Sequence, residues 1–175
     1  MPPEPAAIAD PQASLKPALH VAVIGGGPAG LMAAEVLLQG GAQVDLYDAK
    51  PSVGRKFLLA GKGGLNLTHS EPLDAFITRY AERAAQVAPW LHMLPPQALR
   101  DWAAGLGIAT FVGSSGRVFP AEMKAAPLLR AWLHRLRAAG LQLHMRHRWL
   151  GWQPGDAPTL LRFDAPAGAQ QLQAD

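Results

Sequence analysis

The sequence predicts an α/β domain built on a parallel sheet, and three observations carry that expectation. Leu19 to Ile24 is a short, β-branched apolar run that ends in a cluster of glycines. Leu31 to Gln39 is apolar with good helix formers, and Gly40 and Gly41 stop it. Gln43 to Tyr47 then alternates apolar and polar residues and closes at Asp48. Strand, glycine turn, helix and strand within about 30 residues is the length of one βαβ unit. A first strand that is apolar apart from His20 belongs in a buried parallel sheet.

Beyond Asp48 the reading becomes more varied. Lys50 to Ser70 is glycine-rich and basic and fits no regular element. Asp74 to Met93 is expected to be helical, and Pro96 opens another helix through Leu99 and Trp102 to Gly105. Ile108 to Val112 and Arg117 to Phe119 read as short strands around the turn Gly113-Ser114-Ser115-Gly116. Met123 to Ala139 is an amphipathic helix closed by Gly140, and Leu141 to Trp152 is mostly extended. Thr159 to Asp164 and Gln170 to Asp175 form a hairpin. The final strand stops at Asp175 without a cap, so the domain is expected to be truncated at its C-terminus.

The 175 residues amount to one domain. Residues 1–18, with five prolines, are expected to be a disordered leader, and 19–175 the folded part. The leader has no apolar core of a signal peptide, and no stretch approaches the roughly 18 to 20 residues of a membrane span. A cytoplasmic location follows, with no membrane partner. There is no cysteine, which excludes disulfides, thiolate-held metals and a dithiol redox centre within the chain. Any electrons must therefore travel on a bound cofactor. A net charge of +3 indicates only a weak preference for anions.

Gly25-Gly26-Gly27-Pro28-Ala29-Gly30 is a dinucleotide fingerprint in its proper context, after a strand and before a helix. Gly25 permits the tight turn, Gly27 lets a pyrophosphate approach the backbone, and Gly30 lets the helix pack on the strand. The phosphates would face the free N–H groups of a helix starting near Pro28. Asp48 is placed to accept hydrogen bonds from ribose hydroxyls, and its charge disfavours a 2′-phosphate. The fingerprint alone leaves FAD and NAD open. The excursion after Asp48, in place of further regular βα units, favours the flavoprotein order.

Gly54-Arg55-Lys56 and Gly61-Lys62-Gly63-Gly64-Leu65-Asn66-Leu67-Thr68-His69 form a second glycine-rich, cationic stretch. Backbone N–H groups beside Arg55, Lys56 and Lys62 would suit a phosphate. With Gly116-Arg117-Val118-Phe119-Pro120, these motifs resemble the N-terminal part of the HI0933-like flavoproteins. That family comprises bacterial NAD(P)/FAD-dependent oxidoreductases also called BaiN-like or aminoacetone-oxidase-like. The resemblance covers Val21 to Asp175 and is nearest to a subgroup of largely uncharacterised flavoproteins. It implies a Rossmann-like FAD/NAD(P)-binding domain of the glutathione-reductase-like, three-layer ββα kind. FAD is the implied cofactor, with NAD(P)H a possible electron donor and a small molecule of unknown identity as substrate. The family's dinucleotide glycines map onto Gly25, Gly27 and Gly30, its ribose carboxylate onto Asp48 and its second loop onto Gly61 to Thr68. The full set of candidate cofactor residues is Gly25, Gly26, Gly27, Pro28, Ala29, Gly30, Asp48, Lys50, Arg55, Lys56, Gly61, Gly63, Gly64 and Asn66.

The chain departs from the family's commoner loop, Gly-Gly-Gly-Arg-Cys-Asn-Leu-Thr-Asn. Lys62 replaces the second glycine, Gly64 the arginine, Leu65 the cysteine and His69 the last asparagine. Roles resting on that arginine or cysteine do not transfer. The flavin chemistry and substrate domains are expected in the remainder of a longer protein, so this portion alone is expected to be inactive. Two rival readings stand beside this one, an NAD-binding dehydrogenase domain without flavin and a non-enzymatic nucleotide-binding module.

His144 and His147 are three apart on an extended stretch, so they are expected on opposite faces and unable to share a metal. His69 could serve as an acid/base group if its loop lies near a flavin, but it is read as a solvated loop residue. Arg130, Arg135, Arg137, Arg146 and Arg148 alternate with Leu128, Leu129, Trp132, Leu133 and Leu136, which reads as a basic solvent face of a helix rather than a nucleic-acid surface. The five tryptophans are expected in the core or between domains, and Asp101 and Glu122 lack an obvious partner.

Overall fold

A computed structural model describes residues 19–153 and 160–174. Residues 1–18, expected to form a leader, lie outside the described residues, as do Thr159 and Asp175 at the expected hairpin ends.

The first βαβ unit is as expected. Strand β1 (His20–Ile24) leads through the glycine turn to helix α1 (Pro28–Gln39) and strand β2 (Gln43–Asp48). The excursion that follows comprises α2 (Arg55–Ala60), β3 (Thr68–His69), α3 (Leu73–Thr78), α4 (Ala84–Met93) and α5 (Pro96–Gly105). Next come β4 (Thr110–Val112), β5 (Arg117–Pro120) and α6 (Ala125–Ala138). The chain returns as β6 (Gln142–Met145) and continues as β7 (Arg148–Trp152), β8 (Leu160–Ala165) and β9 (Gly168–Gln173).

Three small sheets result. The parallel sheet has the order β1-β2-β6, with Asp45 opposite Ala22 on one side and Gln142 on the other. β3, β5 and β4 form an antiparallel sheet beneath the second glycine stretch, and β7, β8 and β9 form an antiparallel meander. The two-residue period of β2 sorts its side chains between two layers. Val44 and Leu46 join Leu31, Leu128, Trp132 and Leu136 of the helices in the main core. Tyr47 faces the other way and packs with Leu161 and Phe163 of the meander. Helices, parallel sheet and meander are the three layers of the expected ββα arrangement.

Helix α6 buries Ala125, Leu128, Leu129, Trp132 and Leu136, the i, i+3, i+4 spacing of one helical stripe. Arg135 departs from the expected solvent face, because its guanidinium turns inward to pair with Glu35 of α1. Three further expectations are corrected. Lys50 to Ser70 holds a helix and a strand instead of remaining irregular. The single helix expected over Asp74 to Met93 is two, separated by Arg79 to Arg83, where Ala81–Arg83 make a 3₁₀ turn and Ala81 has a φ of 47°. The extended stretch Leu141 to Trp152 turns at Arg146, φ 61°, and passes from one sheet to another. That turn puts the His144 and His147 rings on the same side, 5.6 Å apart, so the opposite-face argument fails for want of a continuous strand. Among the described residues, no group of three His, Cys, Asp or Glu side chains is placed to hold a metal ion. Nor, among them, is any helix long and apolar enough to cross a membrane.

The tryptophans divide. Trp132 is buried and Trp102 packs against the core, whereas Trp90, Trp149 and Trp152 are exposed. Asp101 does have a partner, accepting from the Gln97 amide at 2.7 Å.

Candidate nucleotide site

The glycine loop leaves β1 with Gly25 at a φ of 101°, a conformation that disfavours any side chain. Its N–H donates to the Tyr47 carbonyl at 2.8 Å, tying the loop to the end of β2. Gly30 sits so close that an added Cβ would lie 1.9 Å from the Gly25 carbonyl oxygen. At Gly26 a Cβ would strike Val53 at 2.4 Å, whereas at Gly27 it would meet nothing within 4 Å. Gly27 is the extended N-cap of α1, Pro28 is its first residue, and the first turn carries no acidic side chain. Pro28 and Ala29 are exposed there. The loop therefore presents an open backbone and a positive helix end to the outside.

Asp48 is engaged with this loop. One carboxylate oxygen accepts the Gly26 N–H at 2.7 Å and the other accepts the Lys50 N–H at 2.7 Å. Each carboxylate oxygen has more than one acceptor direction, so both retain capacity for a hydroxyl. The Gly54 N–H donates to the Gly26 carbonyl at 2.7 Å, which joins the second motif to the first. Gly54 has a φ of 69° and caps α2, on whose first turn Arg55 and Lys56 are exposed.

The second glycine stretch is held by Val118, Met123 and Ala125, from β5 to the start of α6. A Cβ on Gly61 would lie 2.5 Å from that of Ala125, the first residue of α6. The Leu65 N–H donates to the Met123 carbonyl, and that of Leu67 to the Val118 carbonyl. Gly63 borders open space, while Gly64, at a φ of 113°, packs beside Met123. The Asn66 amide, turned with its nitrogen toward β3 and β5, donates to the carbonyls of Thr68 and Val118 at 2.9 and 3.3 Å.

Pro28, Lys56 and Asn66, one from each glycine-rich segment, line a single cleft of about 350 Å³. Its remaining wall is apolar, including Met32, Phe57, Leu65, Trp102 and Trp132. On the other side of Asn66 and Leu67 lies a polar hollow of about 460 Å³ lined by His69, Glu71, Arg79 and Arg117. His69 is not simply solvated there, since its Nε2 lies 3.0 Å from the Ser115 carbonyl and its Nδ1 accepts the Glu71 N–H at 3.2 Å. Glu71 lies below the ordinary glutamate pKa, chiefly through its hydrogen bonds from Arg79.

Two carboxylate-centred clusters, one buried and one partly buried, escaped the sequence reading. Glu35, only 4% exposed, accepts the indole N–H groups of Trp102 and Trp132 at 3.0 and 2.7 Å. Arg135 comes within 2.6 Å of its other oxygen, without an aligned hydrogen bond. On the opposite face Asp45 is hydrogen-bonded to both His20 and His144. The available signal for the first was a lone charge four residues after Leu31, on the core stripe of an apolar helix.

Loop, acidic strand end and covered sheet together define a dinucleotide-binding Rossmann domain whose second face carries a β-meander. The chain matches the HI0933-like protein Rossmann domain over residues 19–174 and belongs to that family. A curated relative, thiamine thiazole synthase of Pyrococcus abyssi (strain GE5 / Orsay), is 30% identical over 128 residues, 66% of this chain and 51% of that protein. THI4 of Thermovibrio ammonificans superposes with a TM-score of 0.58 at 15% identity, covering 89% of this chain and 54% of that one. A flavocytochrome c3 fumarate reductase in its open conformation gives 0.67 at 16% identity, over 90% and 32%. The 3-ketosteroid-Δ4-(5α)-dehydrogenase of Rhodococcus jostii RHA1 gives 0.62 at 13%, over 93% and 45%. At these identities the structural likeness is one of fold. The chain spans about half the length of the curated relative it matches.

Proposed function

We propose that this chain is the FAD-binding portion of a flavin-dependent oxidoreductase. The observation that carries the reading is the convergence of three separated motifs, with Gly26 bonded to both Asp48 and Gly54, and Pro28, Lys56 and Asn66 around one cleft. The residues fit the cofactor. The open side of Gly27 and the first turn of α1 suit a pyrophosphate, with Lys50, Arg55 and Lys56 nearby to offset its charge. Asp48 suits the adenosine ribose and repels a 2′-phosphate, so NADP is disfavoured at this position. The apolar cleft suits a flat ring, and its polar mouth at Lys56 and Asn66 suits a ribityl chain.

Bound FAD would supply the hydride and electron chemistry, which no side chain here provides. The chain's own work is to bind, orient and exclude water. Gly63 borders open space on the side where a cofactor could pass, while Gly61 and Gly64 let the loop pack against Ala125 and Met123. NAD(P)H as donor and a small-molecule substrate complete the proposed reaction in the longer, cytoplasmic enzyme.

The test is a titration of full-length protein with FAD, NAD and ADP. Asp48→Ala should weaken FAD binding by about 1–3 kcal/mol, the cost of a lost charge-assisted hydrogen bond. Asp48→Asn, which keeps one acceptor for the Gly26 N–H, should lose less. Unchanged affinity in Asp48→Ala, or a protein that binds NAD and not FAD, would overturn the reading.

A further inference from the structure

We propose that Glu35 is a positioning residue that sets the aromatic wall of the cofactor cleft. The inference rests on the reading that the flavin ring enters that cleft. Glu35 does not line the cleft, yet both indoles that do so are tied to it. One carboxylate oxygen accepts the N–H of Trp132 from α6 and that of Trp102 from α5. The two rings meet edge to face, 4.8 Å apart at 83°, and Phe57 of the cleft meets Trp132 edge-on at 6.4 Å. Arg135 lies over the Trp102 ring at 5.8 Å and against the other Glu35 oxygen.

This arrangement answers a specific difficulty. A buried indole N–H needs an acceptor, and an apolar cleft wall offers none. With the acceptor placed behind the rings, their hydrocarbon surfaces are left to face the cleft. Without it, each N–H would turn toward the next available acceptor, and the ring would swing with it. Glu35 is also rigidly linked to the phosphate end of the site, because the helix that carries it begins at Pro28, another lining residue. One helix thereby registers the glycine loop and the aromatic wall against each other.

ADP and FAD separate this role from a merely structural one, since ADP uses the glycine loop and Asp48 but not the cleft. In full-length protein, Glu35→Leu should weaken FAD about tenfold, the loss of about one hydrogen bond's worth of alignment. Its ADP affinity should stay within about twofold. Glu35→Gln, whose amide oxygen can still accept both indoles, should recover most of the loss. Visible circular dichroism of the bound flavin should change in Glu35→Leu and return in Glu35→Gln. If Glu35→Leu does not fold, Trp102→Phe removes one tether while keeping an aromatic wall, and should show the same selective loss. Equal loss of FAD and ADP, or no change in either, would overturn the inference. Wild-type protein that holds FAD no more tightly than ADP would instead overturn the cleft assignment itself.

Discussion

On the helix face of the parallel sheet, Glu35 is buried among two indoles and a guanidinium; on the meander face, Asp45 is bracketed by two imidazoles. Indole and guanidinium donors keep their protons across the ordinary pH range, whereas imidazole does not. The carboxylate behind the candidate site is thus held by partners indifferent to pH. The one between the parallel sheet and the meander is held by two imidazoles. The difference also appears in exposure, since Asp45 sits at the solvent-reached end of its layer, with His20 and His144 both partly exposed. Tyr47 is stacked on His144 at 4.5 Å, and burial, then the charge of Asp45, push its phenol up to about 12.

Removing each carboxylate in turn is the direct way to break the comparison. Glu35→Ala strands the buried Nη2 of Arg135 and two indole donors, and should cost about 3 kcal/mol in denaturant unfolding, as for a broken buried pair. A cost below about 1 kcal/mol would mean that these partners have been misjudged.

Asp45→Asn should cost less, about 1 kcal/mol at neutral pH. Burial raises the Asp45 carboxyl, but hydrogen bonds and charge from His20 and His144 outweigh that and leave it below the usual aspartate value. A carboxyl depressed in the fold contributes stability above its unfolded pKa and loses it as pH falls through the folded one. The gap between wild type and Asp45→Asn should therefore close in acid. A gap that stays constant from neutrality to strong acid would sharpen the comparison in the opposite direction, making Asp45 a packing residue.

The smallest effect belongs to Tyr47→Phe. A raised phenol contributes stability that is full below its unfolded pKa of about 10 and is lost as pH rises through the folded value. Wild type should lose more stability than the variant across that alkaline window, read from unfolding midpoints. Asp45→Asn should bring the Tyr47 titration part of the way down, since its charge is one cause of the rise.

Much of the nucleotide end was legible in the chain because its signals are local. Gly25, Gly30, Pro28 and Asp48 announce turn, packing, helix start and strand end within one βαβ unit. Helix α2 was not legible. It is six residues long and bounded by glycines, with Gly54 packed on Leu129 and Gly61 on Ala125, contacts made more than 60 residues away. The bends at Ala81 and Arg146 likewise fall on residues that carry no turn signal. Pairing of Glu35 with Trp102, Trp132 and Arg135 joins α1 to α5 and α6, so periodicity could show a charge on the core stripe without naming its partners.

The register of β2 against β6 has a consequence in time. Asp45 pairs with Gln142, and the Asp48 carbonyl accepts the His147 N–H, from segments roughly 100 residues apart. At ribosomal rates of about 5–20 residues per second, the glycine loop and β2 are made roughly 5 to 20 s before the strand that completes their sheet. Until then one edge of β2 is unpaired, an invitation to pairing with the wrong chain. The first motif to be synthesised is therefore among the last to be secured, and newly made protein should gain nucleotide affinity only after α6 and β6 have docked.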